Sequence, residues 1–414
     1  MDAVKDVAVI GGGAAGCVCA ILCARAGLDT VLLEKNGKIG KKLYITGKGR
    51  CNLTADYPPQ EFLNGVVRGA KFLRTALYSF PPDDTKAFFE ELGVPLETQR
   101  GNRVFPVSEK SSDVIKALDG GLRGAGVDVR LNTEVRSLVR KGGAYEITAD
   151  RACVRARFAV VATGGLSYPS TGSTGDGYGI ARAFGHGIVK PVPSLAQLIT
   201  AENVGELRGL SLRNIEIAAY SADGKRLGTE FGEMLFTDKG LSGPVALTLS
   251  ASLNRTSGAK AVLDLKPALD AEKLDARILR DFAERSNADL KNATRALLPE
   301  RLNLYVLKRA GLRPDKKVNS VTRDERKRLV DTVKALTFSV KSVAPFTEAV
   351  VTSGGVDVKE LTPKCMSRLS DGLYFIGEVI DADAYTGGYN LQIAFSTAAI
   401  CAADIAARAA AYGA

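Results

Sequence analysis

The segment DVAVIGGGAAG, residues 6–16, is the most informative part of this 414-residue chain. Its first five residues, Asp6–Ile10, form a β-branched apolar run that predicts a buried parallel strand. The glycines after it match G-x-G-x-x-G, and an alanine- and cysteine-rich helix is predicted to follow and to end near Gly27. A second predicted strand, Thr30–Leu33, ends at Glu34. Strand, glycine turn, helix and strand in this order predict a βαβ unit of the Rossmann type.

Each glycine of this unit has its own physical role. Gly11 permits the tight turn, Gly13 lets the backbone approach a pyrophosphate, and Gly16 lets the helix pack closely on the strand. The helix N-terminus offers free N–H groups and a partial positive charge to phosphates. The Glu34 carboxylate can accept hydrogen bonds from both ribose hydroxyls and would repel a 2′-phosphate. A glycine turn without a ligand is the alternative. The predicted cofactor contacts here are Gly11, Gly13, Ala14, Ala15, Gly16, Glu34 and Lys35.

Composition limits the class of protein. With 45% apolar and 25% charged residues, the chain is typical of a globular protein and not of a disordered, collagen-like or polytopic membrane protein. Its length leaves room for two or three domains. The net charge of +10 attracts phosphates but does not distinguish a nucleotide cofactor from a nucleic acid.

Cysteine and histidine usage excludes further chemistries. Seven cysteines without a C-x-x-C pair disfavour a disulfide framework or a zinc site and fit a reducing cytoplasm. His186 is the only histidine, and its place after a glycine at a predicted helix end favours a capping role over a flavin-linked or proton-donating one. Residues 7–24 carry no charge, which meets the length of a membrane span, but their glycines favour a strand–turn–helix. We therefore expect no membrane span.

A second glycine-rich segment, GKIGKKLYITGKGRCNLT, covers residues 37–54. Its lysines suit a loop over the phosphates and ribityl chain of a dinucleotide, and a solvated basic loop is the alternative. The polar side chains around Cys51 favour the first interpretation. Because Cys51 has no partner at C-x-x-C spacing, thiol–disulfide chemistry is disfavoured. The predicted contacts are Lys42, Gly49, Arg50, Cys51, Asn52 and Leu53.

Later strand ends indicate the same ligand. Phe158–Ala162 predicts a buried strand that runs into A-T-G-G, whose small residues let the chain cross closely over a dinucleotide. Near the C-terminus, predicted strands at Ala349–Thr352 and Leu373–Ile376 precede TGGYNLQ, residues 386–392, which opens an alanine-rich helix to about residue 411. Such a helix N-terminus can face the electron-rich end of a flavin ring, so we expect the C-terminus to fold back onto the N-terminal sheet. A plain turn and terminal helix is the alternative. The predicted contacts are Ala162, Thr163, Gly164, Gly165, Gly377, Glu378, Asp381, Gly388, Tyr389, Asn390 and Leu391.

The middle of the chain has a different pattern. From about residue 189, short alternating segments such as Ile215–Tyr220 predict antiparallel strands. Residues 270–334 are predicted helical and carry 17 Lys and Arg against 11 Asp and Glu. Their neighbouring opposite charges favour a solvated helical face, and a nucleic-acid footprint is the alternative.

The motifs VIGGGAAG, GKGRCNLT, ATGG, EMLFTDKGLSGP and GEVIDADAYTGGYNLQ together resemble the aminoacetone-oxidase-type FAD-binding proteins, also known through the bile-acid-inducible flavoprotein N group. The resemblance covers nearly the whole chain. It implies an α/β fold: a discontinuous Rossmann-type domain of the two-dinucleotide-binding class (1–188 with 347–414) that binds FAD, an inserted β-barrel-like domain (189–268 with 337–346), and a small helical domain (269–336). In such flavoproteins the strand end at Val135 presents a backbone amide to the adenine. Three residues depart from the family pattern: Asp238 replaces a histidine, Ala384 a glycine and Tyr385 a proline.

These observations predict an FAD-dependent oxidoreductase. We expect NADH or NADPH as a transient co-substrate, because only one nucleotide fingerprint is present, and hydride transfer from flavin N5 to a C=C bond of an enone or steroid-like 3-oxo compound. The alternatives are a flavin-dependent RNA-modifying protein and a flavin-binding protein without turnover. The sequence identifies no catalytic residue, and the proton donor stays open among Tyr44, Tyr168, Tyr385 and Tyr389. A cytoplasmic protein with a small-molecule substrate is expected, nucleic acid is disfavoured as a partner, and oligomeric state is not indicated.

Overall fold

A computed structural model describes residues 4–150 and 152–413 of the chain. The strands are β1 (Lys5–Ile10), β2 (Thr30–Leu33), β3 (Thr54–Ala55), β4 (Val66–Arg68), β5 (Leu96–Gln99), β6 (Arg103–Pro106), β7 (Asp128–Arg130), β8 (Val135–Lys141), β9 (Ala144–Ala149), β10 (Ala152–Val161), β11 (Ile188–Ser194), β12 (Leu198–Thr200), β13 (Ser211–Tyr220), β14 (Arg226–Phe236), β15 (Gly240–Ser242), β16 (Lys260–Asp264), β17 (Leu336–Val343), β18 (Val351–Val356), β19 (Leu373–Phe375) and β20 (Asp383–Ala384). The helices are α1 (Ala14–Arg25), α2 (Lys41–Ile45), α3 (Pro59–Phe62), α4 (Ala70–Ser79), α5 (Pro82–Glu91), α6 (Ser111–Gly124), α7 (Asp176–Ala183), α8 (Pro244–Leu253), α9 (Ala271–Glu284), α10 (Leu290–Ala293), α11 (Glu300–Arg309), α12 (Arg323–Lys334) and α13 (Tyr389–Gly413).

A mixed sheet organises the first compact unit, which comprises the described residues up to Pro193 and from Phe346 onward. Its parallel part has the strand order β7-β2-β1-β10-β19, with Val9 opposite both Leu32 and Val160. The N-terminal half of β10 pairs antiparallel with β9, and β9 pairs antiparallel with β8. This topology confirms the predicted Rossmann-type α/β fold.

The sheet is buried on both faces. Val7 and Val9 pack in the cluster that contains α1 and α13 side chains, whereas Ala8 and Ile10 pack in a separate cluster with Val161. Alternate side chains of a strand lie on opposite faces, so a strand covered on both sides is apolar throughout. This explains the uninterrupted apolar run that was recognised in the sequence.

The C-terminal helix α13 is long and apolar enough, by length and composition, to cross a membrane. In its most apolar window, however, 72% is buried inside the protein. It packs in the same cluster as α1, through residues such as Phe395 and Ile405. The packing is that of a core helix. The uncharged segment near the N-terminus forms β1, the glycine turn and α1, as predicted.

Ser194–Pro345 form a second compact unit. Six antiparallel strands close a barrel in the order β12-β15-β14-β13-β16-β17. The helices that follow are amphipathic, and Leu274 of α9, Leu302 of α11 and Val330 of α12 share one hydrophobic cluster with Phe338 of the barrel. The closed barrel confirms that part of the predicted fold. The domain bounds predicted from the sequence stay predictions.

Some predicted strands have different bounds in the structure. The strand predicted at Phe158–Ala162 lies at Ala152–Val161. Near the C-terminus, a strand is predicted at Ala349–Thr352. The structure places the strand at Val351–Val356. A Cβ on Gly354 would lie 2.6 Å from the carbonyl oxygen of Lys190 on β11, which pairs with this strand. The glycine therefore permits a close approach of two strands and does not end one.

Candidate functional site

The glycine fingerprint fixes the packing of β1, α1 and β10. Gly11 has φ +108°, and a Cβ there would lie 2.5 Å from the carbonyl oxygen of Ala162 at the end of β10. A Cβ on Gly16 would collide with the carbonyl oxygen of Gly11. Both positions require glycine because backbone meets backbone there. Ala162 and Thr163, two predicted contacts, are thereby held beside the turn.

The N-terminus of α1 is open, as a phosphate site requires. Gly13 is the N-cap residue, no side chain caps the helix within the described residues, and its first turn contains no acid. Apart from Gly13 and its neighbours in the chain, no described residue has an atom within 4 Å of the position that a Cβ on Gly13 would occupy. Ala14 and Ala15 form the first turn. Unpaired N–H groups beside open space are what the prediction of a pyrophosphate site demands.

Glu34 is buried at the end of β2 and is held by backbone amides. Its Oε2 accepts a hydrogen bond from the N–H of Gly12 at 2.7 Å, and its Oε1 accepts one from the N–H of Asn36 at 2.7 Å. Oε1 also accepts a hydrogen bond from the side-chain amide of Asn36 at 2.6 Å. A carboxylate oxygen has two acceptor sites, so Oε2 can still accept from a ribose hydroxyl. The contacts with Gly12 and Asn36 therefore fix the carboxylate beside the glycine turn.

Val135 and Lys35 belong to segments that adjoin Glu34. The N–H of Thr133 donates to the carbonyl oxygen of Glu34 at 2.9 Å, so the segment that leads into β8 and Val135 runs beside the end of β2. The Lys35 ammonium pairs with Asp176, the first residue of α7. The structure thus brings Val135 toward the predicted adenosine site and directs Lys35 to a protein carboxylate.

Lys42 joins three separate segments. Its Nζ lies 2.6 Å from Oε2 of Glu378 and 2.7 Å from Oγ of Ser167. The other Glu378 oxygen accepts hydrogen bonds from Ser167 Oγ and from the N–H of Thr352, each at 2.8 Å. Two predicted cofactor residues, Lys42 and Glu378, are therefore adjacent, although 336 positions separate them in sequence.

The predicted contacts at residues 49–53 differ in their burial and in their partners. The Arg50 guanidinium pairs with Glu109 at 2.7 Å and lies over the ring of Phe105. Cys51 is fully buried, and burial raises the pKa of its thiol to about 12, so it is not a reactive thiolate. The Oδ1 atom of Asn52 is buried and has no hydrogen-bond partner among the described residues. Gly49 faces open space, and Leu53 is buried, with its N–H bonded to Val104.

The A-T-G-G segment also has a polar atom without a partner. Oγ1 of Thr163 is buried and accepts or donates no hydrogen bond within the described part of the chain. A Cβ on Gly165 would collide with Thr352, and Gly164 has φ +73°. Buried polar atoms in native proteins nearly always have partners, so such exceptions mark places where a missing ligand can bind. The unpartnered atoms of Asn52 and Thr163 therefore fit a bound dinucleotide.

The C-terminal segment returns to the fingerprint, as expected. β19 pairs with β10, and Gly377, with φ +70°, lies so near α1 that a Cβ on it would come 2.9 Å from the Cβ of Ala15. Its N–H donates to Oγ1 of Thr397 on α13 at 3.1 Å. Predicted contacts from both ends of the chain thus lie next to each other.

Polar contacts fix the loop before α13. Asp381 is buried and receives two hydrogen bonds of 2.7 Å from the guanidinium of Arg68 on β4. The Asn390 side chain accepts from the N–H of Ala384 at 3.0 Å and donates to the carbonyl oxygens of Ala384 and Tyr385. The loop that carries two departures from the family pattern is therefore held by a side chain from the T-G-G-Y-N-L-Q segment.

Tyr389 and Gly388 pack against the N-terminal part of the chain. The Tyr389 ring covers Gly65 and lies 4.6 Å from the ring of Phe62, centroid to centroid. A Cβ on Gly388 would collide with the backbone of Thr54. The next residue of the predicted set, Leu391, packs at the edge of the cluster that contains α1.

The candidate proton donors differ in their surroundings. Tyr44 is 58% exposed on α2, whereas burial raises the pKa of Tyr389 to about 12. The N–H groups of Tyr168 and Tyr385 bond to Phe346 and Gly65. These contacts select none of the four, and the proton donor stays unassigned.

His186 has a structural role. Its Nε2 lies 2.7 Å from Oγ of Ser367 and its Nδ1 lies 3.0 Å from Glu360. Ser367 Oγ also accepts hydrogen bonds from the N–H groups of Leu369 and Ser370, so the hydroxyl proton of Ser367 is directed at the imidazole. The ring is buried, and this burial lowers its pKa. The main-chain N–H of His186 donates to the carbonyl oxygen of Ala181 at the end of α7, whereas the imidazole bonds to Ser367 and Glu360. An interaction of the side chain with the helix end stays a prediction.

Sequence reasoning missed four residues at this site: Arg68, Ser167, Thr352 and Tyr178. Arg68 and Thr352 lie in segments without a recognisable motif, and their partners, Asp381 and Ser167, are far away in sequence. Ser167 lies just after A-T-G-G. Tyr178 lies within TGSTGDGYG, residues 171–179, a segment of small residues that is itself a signal for a close contact with a ligand.

The fold and the site define the class of this protein. A Rossmann sheet, an uncapped glycine-rich helix N-terminus, a buried acid at the end of the second strand and a returning C-terminal helix support an FAD-dependent oxidoreductase.

Comparison with known proteins gives the family. Residues 5–404 match the HI0933-like protein Rossmann domain, so the chain belongs to the HI0933-like family. It is 31% identical over 409 residues to the ribosomal RNA dihydrouridine synthase of Escherichia coli K12, covering 97% of this chain and 98% of the relative. It is 29% identical over 398 residues to the 3-dehydro-bile acid delta(4,6)-reductase of Clostridium scindens, and this match covers 94% of this chain and 96% of the relative. The resemblance seen in the sequence is confirmed for the family, and the subtype stays a prediction.

Solved structures support the fold. The 3-ketosteroid delta1-dehydrogenase from Sterolibacterium denitrificans superposes with a TM-score of 0.51 at 13% identity, over 98% of this chain and all of that one. At this identity the similarity concerns the architecture alone.

Proposed function

We propose that this protein is an FAD-dependent reductase that uses NADH or NADPH to saturate a C=C bond conjugated to a carbonyl group. The observation that carries the proposal is the joining of the N-terminal fingerprint and the C-terminal G-E and T-G-G-Y-N-L-Q segments into one site, at Gly377 and Ala15. The names of the relatives support the reaction class. A delta(4,6)-reductase of a 3-dehydro-bile acid acts on C=C bonds conjugated to a ketone, and dihydrouridine is uridine whose C5=C6 bond, conjugated to a ring carbonyl, has been saturated.

The chain supplies binding and orientation for this chemistry. The open N-terminus of α1 would hold the pyrophosphate and Glu34 the ribose of the adenosine. Lys42 and Glu378 would hold polar groups further along the cofactor, and Asn390 fixes the loop that precedes α13. Bound FAD would supply the redox chemistry, by which a hydride from the reduced nicotinamide reaches the β-carbon of the conjugated C=C bond, and a proton added at the α-carbon would complete the saturation.

The test is an anaerobic half-reaction experiment. The purified yellow protein is mixed with NADH or NADPH, and bleaching of the flavin absorbance is followed by stopped flow. The reduced protein is then mixed with a 4-en-3-one steroid, a simple cyclic enone, a quinone or oxygen. We expect reoxidation by an enone with formation of the saturated ketone. Absence of bleaching with both nucleotides contradicts the nicotinamide part of the proposal, and reoxidation by quinone or oxygen alone contradicts the substrate class.

Uridine in ribosomal RNA is the second candidate substrate, because a relative with that activity in its name covers 97% of this chain. The net charge of +10 is compatible with an RNA partner. An RNA-binding surface on the helices is disfavoured, because many of their basic side chains pair with acids of the same unit. The pairs are Lys316 with Glu325, Lys317 with Asp289, Arg326 with Asp275 and Lys334 with Asp264. These pairs favour the solvated face predicted from the sequence.

Ribosomal RNA transcripts added to the reduced protein distinguish the two substrates. Dihydrouridine detected by mass spectrometry of the digested RNA, with binding that weakens steeply as salt rises, supports RNA. Reoxidation by the enone without dihydrouridine supports the small molecule. Cytoplasmic location and a small-molecule partner remain part of the proposal.

A further inference from the structure

Tyr178 carries a buried hydroxyl that the fold does not use. The residue is only 4% exposed, and its OH has no hydrogen-bond partner among the described residues. Leaving a polar group buried and unpaired costs on the order of 1–3 kcal/mol, so such a group needs an explanation. A phenylalanine would pack in the same place without that cost. The hydroxyl therefore indicates an acceptor that the polypeptide does not supply.

The position of Tyr178 connects it to the cofactor segments. The preceding residue, Gly177, is so close to Thr163 that a Cβ on it would collide with Oγ1, and the same Cβ would come 2.8 Å from Val379. Thr163 belongs to A-T-G-G and Val379 follows Glu378 directly. Tyr178 thus follows the residue at which α7, A-T-G-G and G-E-V pack together.

Thr163 supports the same interpretation. Its Oγ1, which also has no partner, contacts the glycine next to Tyr178. Two unpaired polar side chains therefore lie on adjoining segments of one site. A single unpaired atom can be a local packing defect, but two on segments that pack together favour a partner that the polypeptide does not supply.

The charges around the phenol keep its proton in place. Burial raises the pKa of Tyr178, and the negative charges of Glu378 and Asp381 raise it further. Glu378 is paired with Lys42, and Asp381 with Arg68, so both carboxylates face cations as well. A phenol that stays protonated acts as a hydrogen-bond donor and not as a base.

We propose that the hydroxyl of Tyr178 donates a hydrogen bond to the bound FAD and is a cofactor-binding residue of this protein. The inference rests on the proposed function, since it requires that FAD occupies the site. It assigns to Tyr178 a role that neither the fingerprint nor the C-terminal motif contains.

The test compares Tyr178→Phe with Tyr145→Phe. Tyr145 is an equally buried phenol in the same hydrophobic cluster, but its OH bonds to Ser370 Oγ at 2.8 Å and to the carbonyl oxygen of Asp371 at 2.7 Å. FAD affinity is measured from flavin fluorescence on dilution of the holoprotein. Unfolding temperature is measured at saturating FAD and again after the flavin has been removed.

For Tyr178→Phe we expect about three- to tenfold weaker FAD binding, with an unfolding temperature of the flavin-free protein that is unchanged or higher. For Tyr145→Phe we expect the reverse: a lower unfolding temperature and unchanged FAD affinity. Wild-type affinity in Tyr178→Phe, or a loss of stability like that of Tyr145→Phe, overturns the inference while the proposed function stands. Failure of the wild-type protein to bind FAD overturns both.

Discussion

Replacing Gly13 by alanine separates ligand binding from folding in this protein. Gly13 has φ −83° and ψ −169°, which alanine adopts without strain. Among the described residues, only its neighbours in the chain lie within 4 Å of the new methyl group. The folded chain should therefore tolerate the change, with a stability gain of up to about 1 kcal/mol from the stiffer unfolded chain. The methyl group would, however, occupy the space in which the backbone must meet a pyrophosphate.

The expected loss of affinity follows from the hydrogen bonds at stake. Displacing the phosphate from the N–H groups of α1 removes at least one charge-assisted hydrogen bond, worth about 1.5–3 kcal/mol. FAD affinity should therefore fall roughly ten- to a hundredfold. The assay is titration of the flavin-free variant with FAD, followed by quenching of flavin fluorescence, with unfolding in urea measured on the same samples.

Two other glycine variants are controls. Gly120→Ala also places a methyl group in open space, but on the exposed side of α6, and should leave FAD affinity unchanged. Gly16→Ala drives a methyl group into the carbonyl oxygen of Gly11 and should prevent stable folding. Wild-type FAD affinity in Gly13→Ala would show that the phosphate does not bind at the N-terminus of α1. Unfolding of Gly13→Ala would show that the space beside it is not open.

Three further variants test other parts of the site and its supports. Glu34→Gln should destabilise the chain by about 1–3 kcal/mol in urea unfolding, because the N–H of Gly12 or Asn36 loses its acceptor, and should also weaken FAD binding; unchanged stability contradicts the observed contacts. Asn390→Ala removes three hydrogen bonds from the loop at Ala384 and should lower the unfolding temperature by several degrees in calorimetry, whereas an unaltered melting profile would show that the loop does not depend on them. Burial lowers the pKa of His186 in the folded state, so its contribution to stability is present above the unfolded pKa of about 6.5 and is lost as the pH falls through the folded pKa. The wild-type unfolding free energy should therefore decline from about pH 6.5 downward, and a His186→Gln variant with the same decline would refute this assignment.

The local elements of the N-terminal unit were predictable because their causes are local. An apolar run covered on both faces, a glycine turn and a helix without an N-terminal acid each leave a pattern over a few residues. The bounds of the strand at Val351–Val356 could not be predicted in this way, because Gly354 contacts β11, which is far away in sequence. No local pattern contains such a contact.

The partners of the site residues could not be predicted. The sequence indicated Lys42, Glu378 and Asp381 as separate contacts, but not that Lys42 pairs with Glu378 or Arg68 with Asp381. Tyr178 was passed over because a tyrosine with a partner and one without are identical in sequence. Only the packed structure shows which polar atoms are buried and which of them lack a partner.

By itself, the sequence determined the Rossmann unit, the glycines that a phosphate requires and the acid that follows the second strand, since each arises from backbone conformation and side-chain periodicity over short distances. The tertiary structure alone decided that Gly377 lies against Ala15 and which hydroxyl groups stay unpaired. Those features depend on contacts between residues far apart in the sequence, and such contacts form only when the buried faces of the strands and helices pack together.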